Sequence, residues 1–311
     1  MVMWYVLAAV LAVPVIWLFG DLAYGLLMRF RHARWERGLE RDAEGVRAGC
    51  REYVLGAGDV AVLLVHGFGD SPAVWQRVAP ALAECGVAAR TLRLPGHGLT
   101  MAQYRKTDSA RWRQAVQDAL TELRQSHARV VLVAHSMGGA IALDALAGRP
   151  ELADGLVLLA PLIDVSARRS PLLHPRTWYH ILDRLLLFTD LIAMLHPPDL
   201  HDQAALALTR EDRFVPRVVY REMFALLARN RGRAGAFRTP LLLVLAGDDQ
   251  VIDNRAAEQF FTDYGGAPKR CETIAEAGHM LPMDFGWNKI VDEIARFARA
   301  PAGSAEPGAG A

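Results

Sequence analysis

Runs of apolar residues alternate along the chain with stretches whose apolar positions recur every three or four residues. Val60 to Val65, Val130 to Ala134, Gly155 to Ala160 and Pro240 to Ala246 are the continuous runs, the pattern of strands buried on both faces of a parallel sheet. Arg51 to Leu55, Val87 to Leu92 and Arg270 to Ile274 read as further strands, with a turn at Gly56 to Asp59. Helical periodicity fills the gaps at Pro72 to Cys85, at Ala140 to Ala147, at Asn254 to Tyr264 and at Trp287 to Ala298. Another helix starts at Asp108 or Ser109 and runs to about Gln125, carrying Trp112, Val116, Leu120 and Leu123 on one face. Strands alternating with helices predict an α/β fold around a mostly parallel central sheet.

The alternation breaks between about Pro161 and Arg238. Trp178 to Leu195 holds Ile181, Leu182, Leu185, Leu186, Phe188, Leu191, Ile192 and Leu195 at helical spacing and is closed by Pro197-Pro198; Val218 to Leu227 is a second such stretch. Most of these side chains must face a core. The remaining face suits a helical lid insertion, spanning about 162–238, with an apolar underside fit for an acyl chain.

Met1 to Gly20 contains no charged side chain, a length that matches a bilayer core. Trp4, Tyr5 and Trp17 sit where interfacial aromatics are favoured, Asp21 marks the exit, and Pro14 kinks the helix without preventing insertion. Arg29, Arg31, Arg34 and Arg37 follow, so the positive-inside rule places the rest of the chain in the cytoplasm. The competing reading, a cleaved signal peptide ending at Ala23-Tyr24-Gly25, lacks a Lys or Arg before the apolar run. The expected organisation is a single-pass anchor over 1–28, a solvated juxtamembrane linker over 29–50 in which Arg and Glu alternate, a catalytic domain over 51–300 and a disordered tail over 301–311.

A net charge of +1 gives no reason to expect a nucleic-acid partner. Three widely spaced cysteines, Cys50, Cys85 and Cys271, form neither a zinc motif nor a disulfide framework. His174, His180, His196 and His201 are scattered through the insertion without metal-ligand spacing.

The strand Val130 to Ala134 stops at His135-Ser136-Met137-Gly138-Gly139 and gives way at once to a helix. A serine on so sharp a turn has its hydroxyl pushed out at the end of the sheet, provided small residues on either side let strand and helix approach; Ala134 and Gly138 are those residues. Serine between small residues also serves as a helix N-cap, so a nucleophile reading of Ser136 needs partners. An alcohol needs a general base and a carboxylate to orient that base. His279, beside Gly278 after a predicted strand, suits the base, and adjacent Asp248 and Asp249 follow the preceding strand, where only one can face it. Asp253 reads as a cap of the next helix. Acyl transfer also needs N–H donors for the oxyanion: Met137, after the serine, and Phe68, between Gly67 and Gly69 in the loop that begins at His66.

Together with Leu94-Pro95-Gly96-His97-Gly98, these motifs over Arg51 to Phe297 resemble the α/β-hydrolase superfamily, and within it the monoacylglycerol lipase, lysophospholipase and carboxylesterase group gathered with the serine aminopeptidases. Ala134 departs from the first glycine of the G-x-S-x-G elbow. The resemblance implies an α/β-hydrolase fold with helices on both faces, the chain order Ser136, Asp249, His279, and Asp249 as the acid because it precedes Gln250-Val251-Ile252. It implies supporting positions at His66 and His97 in turns, and His135 beside the elbow. Its activity is cleavage of a small hydrophobic or lipid-derived carboxylic ester through an acyl-enzyme, without cofactor or metal. Acyl transfer to another acceptor and aminopeptidase-like hydrolysis are the alternatives; a binding module without catalysis fits an intact triad poorly.

Overall fold

The computed structural model describes residues 1–170 and 172–300, without the side chains of residue 2 and residues 5–11. The first element is a long helix, α1 (Val2–Glu36), and a short strand β1 (Val54–Leu55) leads into β2 (Val60–Val65). A single 3-10 turn over Pro72–Trp75 precedes α2 (Val78–Glu84), β3 (Ala88–Leu92) and a one-turn α3 (Met101–Tyr104). Then come α4 (Ser109–Ser126), capped by the Asp108 carboxylate accepting from Arg111 N–H at 2.8 Å, β4 (Arg129–His135), α5 (Met137–Leu146) and β5 (Gly155–Leu159). The insertion holds α6 (Pro175–Leu185), β6 (Leu191–Ala193), α7 (Gln203–Leu206), β7 (Phe214–Pro216) and α8 (Arg217–Asn230). The chain returns to the sheet with β8 (Leu241–Ala246), α9 (Asn254–Asp263), β9 (Lys269–Ile274) and α10 (Trp287–Arg299).

Seven strands form one sheet in the order β1-β3-β2-β4-β5-β8-β9, all parallel but for β1. The predicted apolar runs occupy its centre. Consecutive residues of β2, β4, β5 and β8 are shut off from solvent, which requires cover on both faces: α4 packs on α5, and α2 packs on α10. Parallel register sends β2, β4, β5, β8 and β9 out at the same end of the sheet, where the loops carrying His66, Ser136, Asp249 and His279 collect.

Two regions differ from the sequence expectation. The periodicity over Trp178 to Leu195 predicts one helix, but α6 stops at Leu185 and Leu191–Ala193 pairs antiparallel with Phe214–Pro216. The break has a cause outside the segment: the backbone N–H groups of Leu187, Phe188 and Thr189 all donate to the Asp21 carboxylate of α1, at 2.6 to 3.1 Å.

The N-terminal boundaries also shift. α1 runs on to Glu36 and does not stop at residue 28. Residues 29–50 are not a solvated linker, because His32 and Trp35 pack on Phe214 of the insertion, Val46 and Cys50 are buried, and Arg47 reaches Asp212 at 3.2 Å. Alternating charge reads as solvated when the partner lies 165 residues away. The outer face of α1 exposes Val13, Ile16, Phe19, Leu26, Leu27 and Phe30, and among the described residues one helical stretch, Ala12–Glu36, is long and apolar enough to cross a membrane. The tail over 301–311 and the side chain of Tyr5 lie outside what is described.

Burial lifts the Asp212 carboxyl to about 7 even against the Arg47 charge. Removing Arg47 therefore protonates Asp212 and does not strand a bare anion. Arg47→Ala should cost roughly 1–3 kcal/mol, the worth of hydrogen bonds to a charged group, whereas exposed Arg31→Ala should stay within about 0.5 kcal/mol. Equal denaturation midpoints for the two variants in urea would refute the docked reading of this segment.

Candidate active site

β4 ends at His135 and α5 begins at Met137, so the whole reversal is made at Ser136, whose φ of 55° and ψ of −123° lie where non-glycine residues are strained by about 1–3 kcal/mol. Its surroundings hold it there: Ser136 N–H donates to Leu159 O at 3.0 Å, and its carbonyl accepts from Gly139 and Leu162 N–H, both at 2.9 Å. The turn works only with small neighbours. A Cβ on Gly138 would lie 2.5 Å from His66 O, and one on Gly67 would lie 2.9 Å from Ser136 Cβ. Ala134 is buried in β4 opposite Val65 and Leu158, where its methyl is accommodated. Ser136 does stand at the N-cap of α5, yet its hydroxyl makes no capping bond.

That hydroxyl instead meets His279 Nε2 at 2.8 Å, and His279 Nδ1 meets Asp249 Oδ2 at 2.8 Å. The other Asp249 oxygen accepts from Val251 and Ile252 N–H, each at 2.8 Å, which fixes the carboxylate against rotation. Asp248 points the other way, half exposed, toward Arg168 and His201. Asp253 caps α9 by accepting from Arg255 N–H. Burial raises the Asp249 carboxyl, but the His279 ring and the two N–H donors more than offset it and hold the acid below the usual carboxylate range. Burial likewise opposes charge on His279, yet Asp249, with Asp199 and Glu211 behind it, holds the imidazole above its ordinary value.

Met137 is the first residue of α5, so its N–H has no intrahelical partner and is free for an anion near Ser136. Phe68 lies in the loop whose Gly67 packs on Ser136, and its ring meets Tyr220 of α8 at 4.8 Å between centroids. His66 is buried and accepts from Leu94 N–H through Nε2 at 3.1 Å, which leaves Nδ1–H to donate to Gly67 O at 3.0 Å. Burial, with His97 beside it, keeps that ring well below its ordinary pKa and so neutral. His97 packs against His66, Tyr104 and Trp112. Burial lowers His135 to about 3, so its Nε2–H donates to His279 O at 2.9 Å as a neutral ring. Among the described residues no cluster of His, Cys, Asp or Glu has the arrangement of a metal site.

Two acids escaped the sequence reading. Asp199, just after Pro197-Pro198, is buried, and one of its oxygens accepts from both Gln250 N–H at 2.8 Å and His279 N–H at 3.1 Å, while the other pairs with Arg169 at 2.8 Å. It thereby ties the Asp249 loop to the His279 loop. Fully buried Asp284 accepts from His201, Asp202, Gly278 and Phe285 N–H and ties the end of the insertion to the same histidine loop. Nothing local marks either residue, since an aspartate after two prolines reads as any turn acid. Asp199→Asn removes a charge that favours the imidazolium, so the His279 titration midpoint should fall relative to wild type. Imidazole NMR reads it directly; an unchanged midpoint would show that Asp199 acts on the fold alone.

A hydroxyl on a strained turn, hydrogen-bonded to an imidazole that a buried carboxylate orients, beside the N–H of the first residue of a helix, is an arrangement able to form and break an acyl ester. The family model for serine aminopeptidase, S33 matches residues 57–285. The chain is 23% identical over 258 residues to a thermostable monoacylglycerol lipase of Bacillus sp. (strain H-257), covering 83% of this chain and 98% of that protein. Among solved structures it is similar to a metagenome-derived lipolytic enzyme of the LipS and LipT pair, with TM-score 0.71, 20% identity and coverage of 82% of this chain and 99% of that one. It is similar also to a soluble variant of monoglyceride lipase from Saccharomyces cerevisiae, with TM-score 0.69, 18% identity and coverage of 80% and 90%. At these identities the solved structures carry the fold, and the match across 57–285 carries the family: the chain belongs to the serine aminopeptidase, S33 family of α/β-hydrolases.

Proposed function

We propose that the protein is a serine hydrolase that cleaves carboxylic esters of lipid origin through an acyl-enzyme. The observation that carries this reading is the unbroken chain from Ser136 through His279 to Asp249, with both links at 2.8 Å. Ser136 Oγ attacks the ester carbonyl carbon while His279 Nε2 takes its proton, and the oxyanion is held by the Met137 and Phe68 N–H groups. Collapse breaks the bond to the leaving oxygen, which departs as an alcohol with the proton from His279. Water then adds to the acyl-enzyme by the same route and releases the acid. Asp249 keeps Nδ1–H of His279 fixed, and its low pKa keeps it ionised throughout.

The lipid-derived class of ester is supported by the monoacylglycerol lipase relative that spans most of the chain and by the apolar N-terminal helix. That helix is a single-pass anchor, and Arg29, Arg31, Arg34 and Arg37 at its end keep the hydrolase domain on the cytoplasmic side. Fusion of a reporter active only outside the cytoplasm to the C-terminus should give no signal in membranes that retain the protein. Recovery of the intact chain in the soluble fraction would overturn the anchor.

Ser136→Ala should lower turnover of p-nitrophenyl esters by at least about a thousandfold, with rates rising with acyl length in wild type. Undiminished turnover in the variant would exclude Ser136 as the nucleophile, and aminoacyl-arylamide turnover exceeding ester turnover would favour a peptidase. His279 must be uncharged to accept the proton, and its pKa is raised. Activity should therefore fall on acidification with a midpoint above the ordinary histidine value of about 6.5.

A further inference from the structure

The insertion is fastened to α1 through groups that a lipid environment would penalise if they were left open. Asp21, 5% exposed, is the one charged residue before Arg29, and its carboxylate is turned toward the insertion, where it takes the N–H groups of Leu187, Phe188 and Thr189. The carbonyls of the same loop are also engaged: Trp17 Nε1–H donates to Leu185 O at 3.1 Å, Arg217 donates to Leu186 O, and Arg29 donates to Phe188 O at 3.4 Å. Thr189 Oγ–H donates to Asp21 O at 3.2 Å, and a Cβ on Gly25 would lie 3.0 Å from Phe188 O, so helix and loop are in backbone contact. Irregular backbone is tolerated at membrane depth where its polar groups are met by protein in this way.

What the loop presents outward is apolar. Leu185, Leu187 and Phe188 are 43%, 64% and 44% exposed, beside exposed Leu18, Leu22 and Leu26 of α1, and no charged residue interrupts 185–189. Exposed Arg184 precedes the band at Leu185, and charge is densest where the band meets Arg29. Arg29 and Arg105 both pair with Asp190, Arg217 and Arg221 both pair with Asp183, so four guanidinium groups face two carboxylates. A cavity of about 250 Å³ opens there, lined by Arg105, Asp190, Pro216, Arg217, Val218 and Arg221. Its surplus of positive charge fits a monoanionic phosphodiester, which arginine binds through paired N–H groups.

We propose that the Leu185–Thr189 loop enters the bilayer alongside α1 and that the arginine cavity at its base holds the phosphate of an anionic phospholipid. The surface of the bilayer then lies at Arg29 rather than at Asp21, and the hydrolase domain is held in one orientation with its insertion against the lipid. This rests on the membrane-anchor reading above, and goes beyond it by assigning the loop and the lipid headgroup.

The full chain is placed in vesicles of phosphatidylcholine alone or with phosphatidylglycerol. With Cys85 and Cys271 replaced by serine, Leu187→Cys carries an environment-sensitive fluorophore; blue-shifted emission quenched by nitroxides on the acyl chains is expected, and emission typical of water would overturn loop insertion. The pair Leu187→Glu and Phe188→Glu should lose at least tenfold on a monoacylglycerol embedded in vesicles while a soluble p-nitrophenyl ester is cleaved as before; equal loss on both, or on neither, counts against the proposal. Phosphatidylglycerol should raise the vesicle rate of wild type but not that of Arg105→Glu with Arg221→Glu, and the same dependence in both would remove the phosphate site. A failed anchor shows separately as soluble wild-type protein, and a failed hydrolase reading as wild type inert toward the soluble ester, so neither is confused with these results.

Discussion

The closeness with which α5 can approach β2 sets everything at the working end of the sheet. Gly138 has no room for a methyl group because the carbonyls of Val65 and His66 lie 2.5 to 2.6 Å from where it would be. That contact forces the strand-to-helix reversal into the single residue Ser136 and lifts its hydroxyl off the end of β4. The strain is held by the packed backbone on either side, in the Leu159 and Leu162 bonds to Ser136, and not by the serine side chain, which stays free to meet His279. A serine so placed is pre-positioned by the fold, so binding need not reorganise it.

The same physical device recurs around it. Asp21, Asp199 and Asp284 are each buried carboxylates that accept backbone N–H groups from loops distant in sequence, and Asp249 is fixed in the same way by the N–H groups of its own turn. An ionised oxygen can take two such donors, and each bond is stronger than a neutral one. Loops that carry no regular structure are thereby fixed relative to each other without needing a hydrophobic core of their own. Asp199 is the clearest instance, since a single oxygen spans the loops of the acid and the base.

The sequence was most legible where the physics is local or periodic. β2, β4, β5 and β8 are announced by continuous apolar runs, and Ser136, Asp249 and His279 by their place directly after strands, which parallel register then gathers at one end. Asp249 and Asp248 could be separated only through the resemblance, because adjacent residues share every local signal and differ only in the direction they face. What stayed hidden was set by distant partners. Asp21 looks like the end of an apolar span, yet it breaks α6 from 166 residues away; Arg47 looks like one solvated charge among many, yet it seats in the insertion beside Asp212. A periodicity count over Trp178 to Leu195 has no access to either contact.

These distant contacts change what the insertion is. It is clamped to α1 by Asp21 and Arg29, to the histidine loop by Asp199 and Asp284, and to the loop after β2, where Asp212 N–H donates to Gly69 O at 2.6 Å and Tyr220 meets Phe68. Ser136 and His279 are nearly closed off from solvent, at 6% and 7% exposure. With α1 in a bilayer, as proposed above, Leu185, Leu187 and Phe188 beside it face the phase in which a hydrophobic ester is already dissolved. On the anchor reading proposed above, the helix sets both the membrane position of the domain and the geometry of the insertion that it clamps.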